Sequence, residues 1–508
     1  MRPEFEVFAG AKYPQIPQIR GLSFYTCVIT IENIAFMENE IAYQEALDYL
    51  YSFIDYSLTR SFRYSPEKFN LDRVVVLLER LGNPHKAYPI IHVAGTKGKG
   101  SVSALCASAL RAAGLRTGLY TSPHLEDYCE RIQVDGAVIS HAEMVELVAE
   151  IKPHVAVVPG LTSFELTTAI GFLYFARKGV EAAVIEVGLG GRLDATNVVT
   201  PLVAVIASLS YDHVAVLGNT LTAIAGEKGG IIKPGVPVVL APQKDEARKV
   251  IRTIASERHS RLLEIGQDFL FAPVCHSVDN QSLWVWRADE QDRMNELLDS
   301  SHTNGCWQPL SLTIPLLGLH QVENATTAYA ALVIAREEGL TLTDEEIKKG
   351  FASVFWPGRF EIMQKEPPVI IDSAHNRDSA LKLRLALDDY FPSVPIVLLF
   401  GASEDKDIEG MFAELLPRVN RVVATQSIHP RAIEAEMLVA LAHKFGCPAK
   451  AVLPVEEAFT YALSLAGEKT AVVVSGSLFI AAAARSVWMQ MDPARRQSIR
   501  YQLKGNDR

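Results

Sequence analysis

The residues best suited to chemistry stand together in Gly95-Thr96-Lys97-Gly98-Lys99-Gly100-Ser101, between the apolar run IIHVA and a helix-forming stretch. Glycines let the backbone curl until several N–H groups point at one phosphate. The start of the following helix adds partial positive charge. Lys99 is placed to reach the β and γ phosphates of a nucleotide, and Ser101 to meet a metal ion or a phosphate oxygen. The loop departs from the pattern GxxxxGK[ST], because Val93 stands at the first glycine position and Gly100 separates lysine from serine. A glycine-rich turn that binds nothing is the alternative. Two lysines, three glycines and the strand–loop–helix context argue against it.

Other candidates lie at the ends of apolar runs. Glu186 closes AAVIE, where a carboxylate is costly unless it is paired with an arginine or bound to a metal. His213 follows the next apolar run, and a lone histidine there is more often structural. Ser122 precedes Pro123 and could simply cap a turn.

The surrounding pattern predicts strands over 90–94, 119–121, 182–187, 203–206 and 236–240, with helices over 101–113 and 164–176 and one capped by Ser140 and Glu143. This alternation is α/β, a mostly parallel sheet with helices on both faces. Residues 275–312, with Trp284, Trp286 and Trp307, read as a short hairpin and an irregular loop. A second alternation, with strands near 369–372, 396–400, 421–424 and 471–475, predicts a smaller Rossmann-like domain. Trp356-Pro357-Gly358 marks the join. The expected organisation is an N-terminal domain over 37–355, a linker over 356–365, a C-terminal domain over 366–490 and a tail over 491–508. Residues 1–36 lack helical period and signal-peptide features, and read as an over-extended gene start or a flexible arm. From Met37 a helix carries Ile41, Ala46, Leu47, Leu50 and Ile54 at roughly helical spacing.

Composition narrows the function classes. The 508 residues are 49% hydrophobic and carry 49 Lys plus Arg against 59 Asp plus Glu, a net charge of −10. A disordered chain is excluded, a protein that tracks nucleic acid is disfavoured, and no apolar run is long enough to span a bilayer. Six cysteines stand singly, without a CxxC pair. They suggest a reducing, cytoplasmic setting.

Eight segments in order resemble the folylpolyglutamate synthase and dihydrofolate synthase branch of the Mur ligase family: LLERLGNPHKAYPIIHVAGTKGKGS, GLYTSPHLEDYCERIQVDG, TSFELTTAIGFLYFA, VIEVGLGGRLDATNVV, SYDHVAVLGNTLTAIAGEKGGIIKPG, HQVENATTAYAAL, WPGRFE and DSAHN. Departures are Lys97 for a usual asparagine, Gly229 for a usual alanine and Ser373 for a more usual glycine.

The resemblance implies an ATP-dependent ligase acting through an acyl phosphate, with a folate or dihydropteroate, L-glutamate and ATP as partners, two Mg²⁺ ions, and a monomer as the working form. It assigns ATP binding to Gly95 through Ser101, Asn324, Arg359 and Asp372, and metal binding to Ser122, Glu186 and His213. The folate falls to Thr162, Ser163, Phe164, Glu165, Leu193, Asp194 and Ala195, although helix capping, core packing and a turn also account for several of these. His375 is given a catalytic role. Lys228 is expected to be carbamylated, with an unmodified lysine on phosphate as the alternative. Asp405, Lys406 and Asp407 read as a solvated charge run. Competing functions are a Mur-type cell-wall ligase and a nucleotide-dependent switch. TSPHL and GRLDATN count against the first, and the extra metal constellation with Lys228 against the second.

Overall fold

The computed structural model describes residues 31–54, 70–299, 307–466 and 469–491. The segments 1–30 and 492–508, and with them most of the expected N-terminal extension and the tail, lie outside the described residues. The strands in chain order are β1 (Ile90–Ala94), β2 (Thr117–Tyr120), β3 (Ile132–Val134), β4 (Ala137–Val138), β5 (Ala182–Glu186), β6 (Val203–Ile206), β7 (Val238–Leu240), β8 (Leu262–Glu264), β9 (Phe269–His276), β10 (Gln281–Arg287), β11 (Leu310–Ile314), β12 (Glu361–Lys365), β13 (Pro368–Ile371), β14 (Ile396–Phe400), β15 (Arg421–Ala424), β16 (Ala449–Ala451) and β17 (Ala471–Ser475).

Among the described residues, eight strands form the first sheet, in the order β4-β3-β2-β5-β1-β6-β7-β8. The run from β2 to β8 is parallel, and β3 and β4 add an antiparallel edge. β1, β5 and β6 are buried throughout and rich in Val, Ile and Ala, as strands covered on both faces must be. The chain crosses over β1 on its way from β5 to β6. The loops after β1, β5 and β6 therefore meet at one sheet edge, where open α/β sheets open a ligand crevice.

The helices that matter for the site are α1 (Ile31–Tyr51), α2 (Leu71–Arg80), α3 (Lys99–Ala112), α4 (His141–Val155), α5 (Ser163–Arg177), α6 (Val214–Leu217), α7 (Leu221–Gly229), α8 (Asp245–Glu257), α9 (Gln291–Asp299), α10 (Leu319–Glu337), α11 (Asp344–Ala352) and α12 (Arg377–Tyr390). α3 and α10 pack on one face of the sheet, and α1, α2, α4 and α5 on the other. α1 opens at Ile31, ahead of Met37, inside the stretch expected to lack pattern. Ala46 and Leu50 are buried as expected, with Tyr43 completing that face. Ile41 and Ile54 are exposed, because Ile41 turns away from the packed face and the helix ends before Ile54.

The Trp-rich region is more regular than expected. β9, β10 and β11 form an antiparallel sheet, and α9 connects the last two. Its inner residues Leu283, Val285, Leu312 and Ile314 join the core around α10. Six strands build the second sheet, in the order β12-β13-β17-β14-β15-β16, parallel except for β12. β12 lies within the segment expected as a linker and serves as an edge of this sheet.

Candidate nucleotide and metal site

The loop after β1 is shaped by what crosses it. Gly98 has φ +83° and lies under the Asn324 side chain, so an alanine there would be strained and would clash. The N–H groups of Thr96 and Lys97 do not face the crevice. They donate to the Ser208 carbonyl at 2.9 and 3.0 Å and fasten the loop to the end of β6. What remains is the start of α3 at Lys99, where Gly98 supplies no side-chain cap. The first N–H groups of an α-helix have no partner within it, so this end is left open for an anion.

The predicted residues gather around one cavity of about 230 Å³. Loop residues Gly95 to Ser101 line it, as do Ser122, Glu186, His213, Lys228, Asn324, Arg359, Asp372 and His375. Glu186 is buried at the end of β5. It accepts the Ser122 N–H at 3.2 Å and faces Lys99 Nζ at 3.8 Å. Burial raises its pKa, and Lys99 opposes that rise. Lys228 is buried and donates to the Gly95 carbonyl at 2.8 Å. Burial, followed by the nearby Lys99, pushes its amine down to about 7.

The Gly229 beside it packs against α8. A Cβ there would come within 2.6 Å of Ile254 Cδ1 and 3.0 Å of Ile251 Cδ1, the far ends of flexible side chains, so a larger residue asks only that those ends shift.

Asp212 is the hub of the cavity, and the sequence offered no pattern to single it out. Its carboxylate meets Lys97 Nζ at 3.1 Å, Lys406 Nζ at 2.8 Å and Asn376 Nδ2 at 3.3 Å. Lys406 and Asn376 come from the second domain. Lys406 is therefore an interdomain ion-pair partner, and Asp407 caps a helix through the Gly410 N–H at 2.9 Å. The solvated charge run expected there is corrected on both counts, since a partner 194 residues away gives no local signal.

Burial alone would raise the Asp212 pKa. Lys97 first, and Lys406 with it, hold the carboxyl well below the usual range. His375 Nδ1 donates to the Ser373 carbonyl at 2.9 Å, which leaves Nε2 to accept from Lys97 Nζ at 2.8 Å. Burial and then Lys97 lower the His375 pKa to about 4, so the ring is neutral near pH 7. Arg359 donates to Ser373, and Asp372 accepts the Phe360 and Ala374 N–H groups at 2.8 Å each.

The residues expected to hold the folate are divided. Thr162 and Glu165 form a capping box at the start of α5, and Glu165 pairs with Arg73 at 3.2 Å. Asp194 caps the turn Ala195–Val198 and accepts the Leu189 N–H at 2.8 Å. Structural duties thus account for these side chains. None of Thr162 to Glu165 or Leu193 to Ala195 lines the nucleotide cavity, although the Phe164 ring closes over Gly188 at its rim. A second cavity of about 350 Å³ shares Pro123 and Arg359 with the first, on the far side of Trp356.

An uncapped helix start over a parallel-sheet crevice, closed by a second α/β domain, is suited to an anionic ligand held between two domains. Residues 93–332 match the Mur ligase middle domain, and residues 358–478 match the Mur ligase, glutamate ligase domain. The dihydrofolate synthase/folylpolyglutamate synthase of Bacillus subtilis (strain 168) is 37% identical over 397 residues, 76% of this chain and 88% of that protein. The folylpolyglutamate synthase of Lacticaseibacillus casei is 33% identical over 452 residues, 87% of this chain and 98% of that protein. Among solved structures, Mycobacterium tuberculosis folylpolyglutamate synthase complexed with ADP matches with a TM-score of 0.77 at 32% identity, covering 89% of this chain and 99% of that one. E. coli FolC in complex with DHPP and ADP matches with a TM-score of 0.74 at 30% identity, covering 88% and 98%.

The chain belongs to the folylpolyglutamate synthase and dihydrofolate synthase branch of the Mur ligase family, and it is an ATP-dependent ligase acting on folates. No helix among the described residues is long and apolar enough to cross a membrane.

Proposed function

We propose that this chain joins a folate carboxylate to the amine of L-glutamate, as a monomer in the cytoplasm, accepting tetrahydrofolate and also dihydropteroate. The carboxylate oxygen attacks the γ-phosphorus of ATP and ADP leaves. The amine then attacks the acyl carbon and inorganic phosphate departs, leaving an amide. The observation that carries this reading is the single cavity where the open start of α3, the buried Glu186 and the second domain's Arg359 and His375 meet.

Each side chain has a role in this scheme. Lys99 and the first N–H groups of α3 bind the phosphates. The planar fork of Arg359 takes a pair of phosphate oxygens. Neutral His375 accepts from Lys97 through Nε2 and so holds that ammonium beside the transferring group. Asn324 and Asp372 hold the nucleoside. Phe164 and the turn at Leu193 to Ala195 border the folate. Domain closure keeps water from the acyl phosphate.

The donor set fits Mg²⁺. Glu186 is a buried carboxylate with its lysine as far as 3.8 Å away, and the Ser122 hydroxyl belongs to the same cavity. His213 and a carbamylated Lys228 fit a second ion. Bound there, Mg²⁺ would neutralise the phosphate oxygens and the charge that develops on them. An amine shifted to about 7 suits carbamylation, because only the neutral form adds CO₂, releasing a proton.

Phosphate release with ATP, Mg²⁺ and L-glutamate, compared across dihydropteroate, tetrahydrofolate and a UDP-muramoyl substrate, tests the proposal. Turnover with both pteridines is the expected result. Strict dependence on the muramoyl substrate would overturn it.

A further inference from the structure

Away from the nucleotide cavity, Asp127, Cys129 and His141 bring one oxygen, one sulfur and one nitrogen within 4.8 Å of one another. We propose that they form a binding site for a borderline-soft divalent cation of the Zn²⁺ class, which ties the 121–131 loop to α1 and α4.

Each ligand is held in place by its neighbours. Asp127 caps the turn Tyr128–Arg131, and its Oδ1 accepts the Cys129 N–H at 2.7 Å. Its other oxygen is turned toward His141 Nε2, 3.0 Å away. His141 is the first residue of α4, behind the Ser140 capping box, and its ring stacks on Tyr43 at 3.7 Å. Its Nδ1 lies 2.7 Å from Glu40 Oε1 on α1. Both ring nitrogens thus face carboxylates, and without a cation this is an ion-pair geometry. A cation would replace the proton between Nε2 and Asp127, and Glu40 on Nδ1 would then orient the ring, as carboxylates do for metal-bound histidines.

Cys129 is buried beneath, and the Asp127 and His141 side chains are partly open to solvent, which gives a cation a way in. A thiolate and a carboxylate would balance the two positive charges, with a neutral imidazole as third ligand. The Tyr43 hydroxyl, 3.1 Å from Asp127 Oδ1 and 3.4 Å from Cys129 Sγ, lies at the edge of the group and leaves the fourth position to it or to water. Tetrahedral ligands at Zn²⁺ distances stand somewhat closer together than 4.8 Å, so binding would draw the side chains inward by about 1 Å. Sulfur and nitrogen ligands favour Zn²⁺ over Mg²⁺, so this site and the nucleotide site would not exchange ions.

The full chain, stripped with a chelator, is titrated with Co²⁺ in place of Zn²⁺. One equivalent should produce tetrahedral visible bands and a near-ultraviolet thiolate band, both removed by Zn²⁺ and not by millimolar Mg²⁺. Cys129→Ser should lose the thiolate band. Glu40→Gln keeps every ligand and should weaken binding by roughly tenfold to a hundredfold. Zn²⁺ should raise the melting temperature of the wild type. If Cys129→Ser does not fold, the shift in Glu40→Gln decides the matter. Absence of a thiolate band in the wild type, its survival in Cys129→Ser, or equal affinity of Glu40→Gln and wild type would each overturn the proposal. The group would then be a hydrogen-bond network only.

Discussion

The two domains present the same strand–loop–helix unit to the shared cavity and finish it in opposite ways. In the first, β1 leads through the glycine loop to α3, whose start has no side-chain cap. In the second, β13 leads through Asp372-Ser373-Ala374-His375 to α12, whose start is closed by a capping box between Asn376 and Ser379. A helix start left open is an anion site, whereas a closed one is a rigid mount. The first unit therefore suits binding of the phosphates. The second holds His375 and Asn376 steady so that they reach Lys97 and Asp212 across the interface.

The sharpest way to break this contrast is Lys99→Ala. The side chain lies at the open start, so ATP turnover should fall by roughly a thousandfold or more while circular dichroism and melting stay near wild type. A mutant that keeps full activity would leave the open start without a function.

Lys228→Ala should come next, with a loss of roughly a hundredfold that a short-chain carboxylate in the buffer partly restores by returning the missing oxygens. The pH dependence follows from the amine's lowered pKa. Below about 7 the ammonium form dominates and cannot add CO₂, and above it the neutral amine does. A ¹³C carbamate signal from labelled bicarbonate should thus grow from about pH 6 to about pH 8 and be missing from the alanine variant. A flat signal would favour bare lysine on phosphate.

Asp212→Asn tests the side-chain bridge. It takes the counter-charge from half-buried Lys97 and leaves Lys406 only Asp405, at 3.6 Å, which is costly. Steady-state kinetics should show kcat/KM reduced roughly tenfold to a hundredfold, with a lower melting temperature. Adding Lys406→Met to Asp212→Asn removes one of the two cations that shared Asp212, relieving their mutual repulsion, and should recover part of that stability.

Asn376→Ala opens the closed start. The expected cost is about 1 kcal/mol of stability, read by denaturant melts, with only a few-fold change in turnover. A loss as large as that of Lys99→Ala would show that both helix starts bind the substrate.

What the sequence alone determined was whatever depends on neighbours in the chain. Alternating apolar runs specified both parallel sheets, and the glycine loop announced the turn into α3, because backbone shape and strand burial are written in consecutive residues. Glu186 was legible for the same reason, as an acid at the end of a buried strand. Tertiary structure decided the partners. Lys97 looked like an extra charge for the phosphates, but its nearest groups are Asp212 and His375. Lys406 looked solvated and is an interdomain ion pair. Both depend on distant segments enclosing a charge in a region of low dielectric, where every counter-charge must be supplied by the fold.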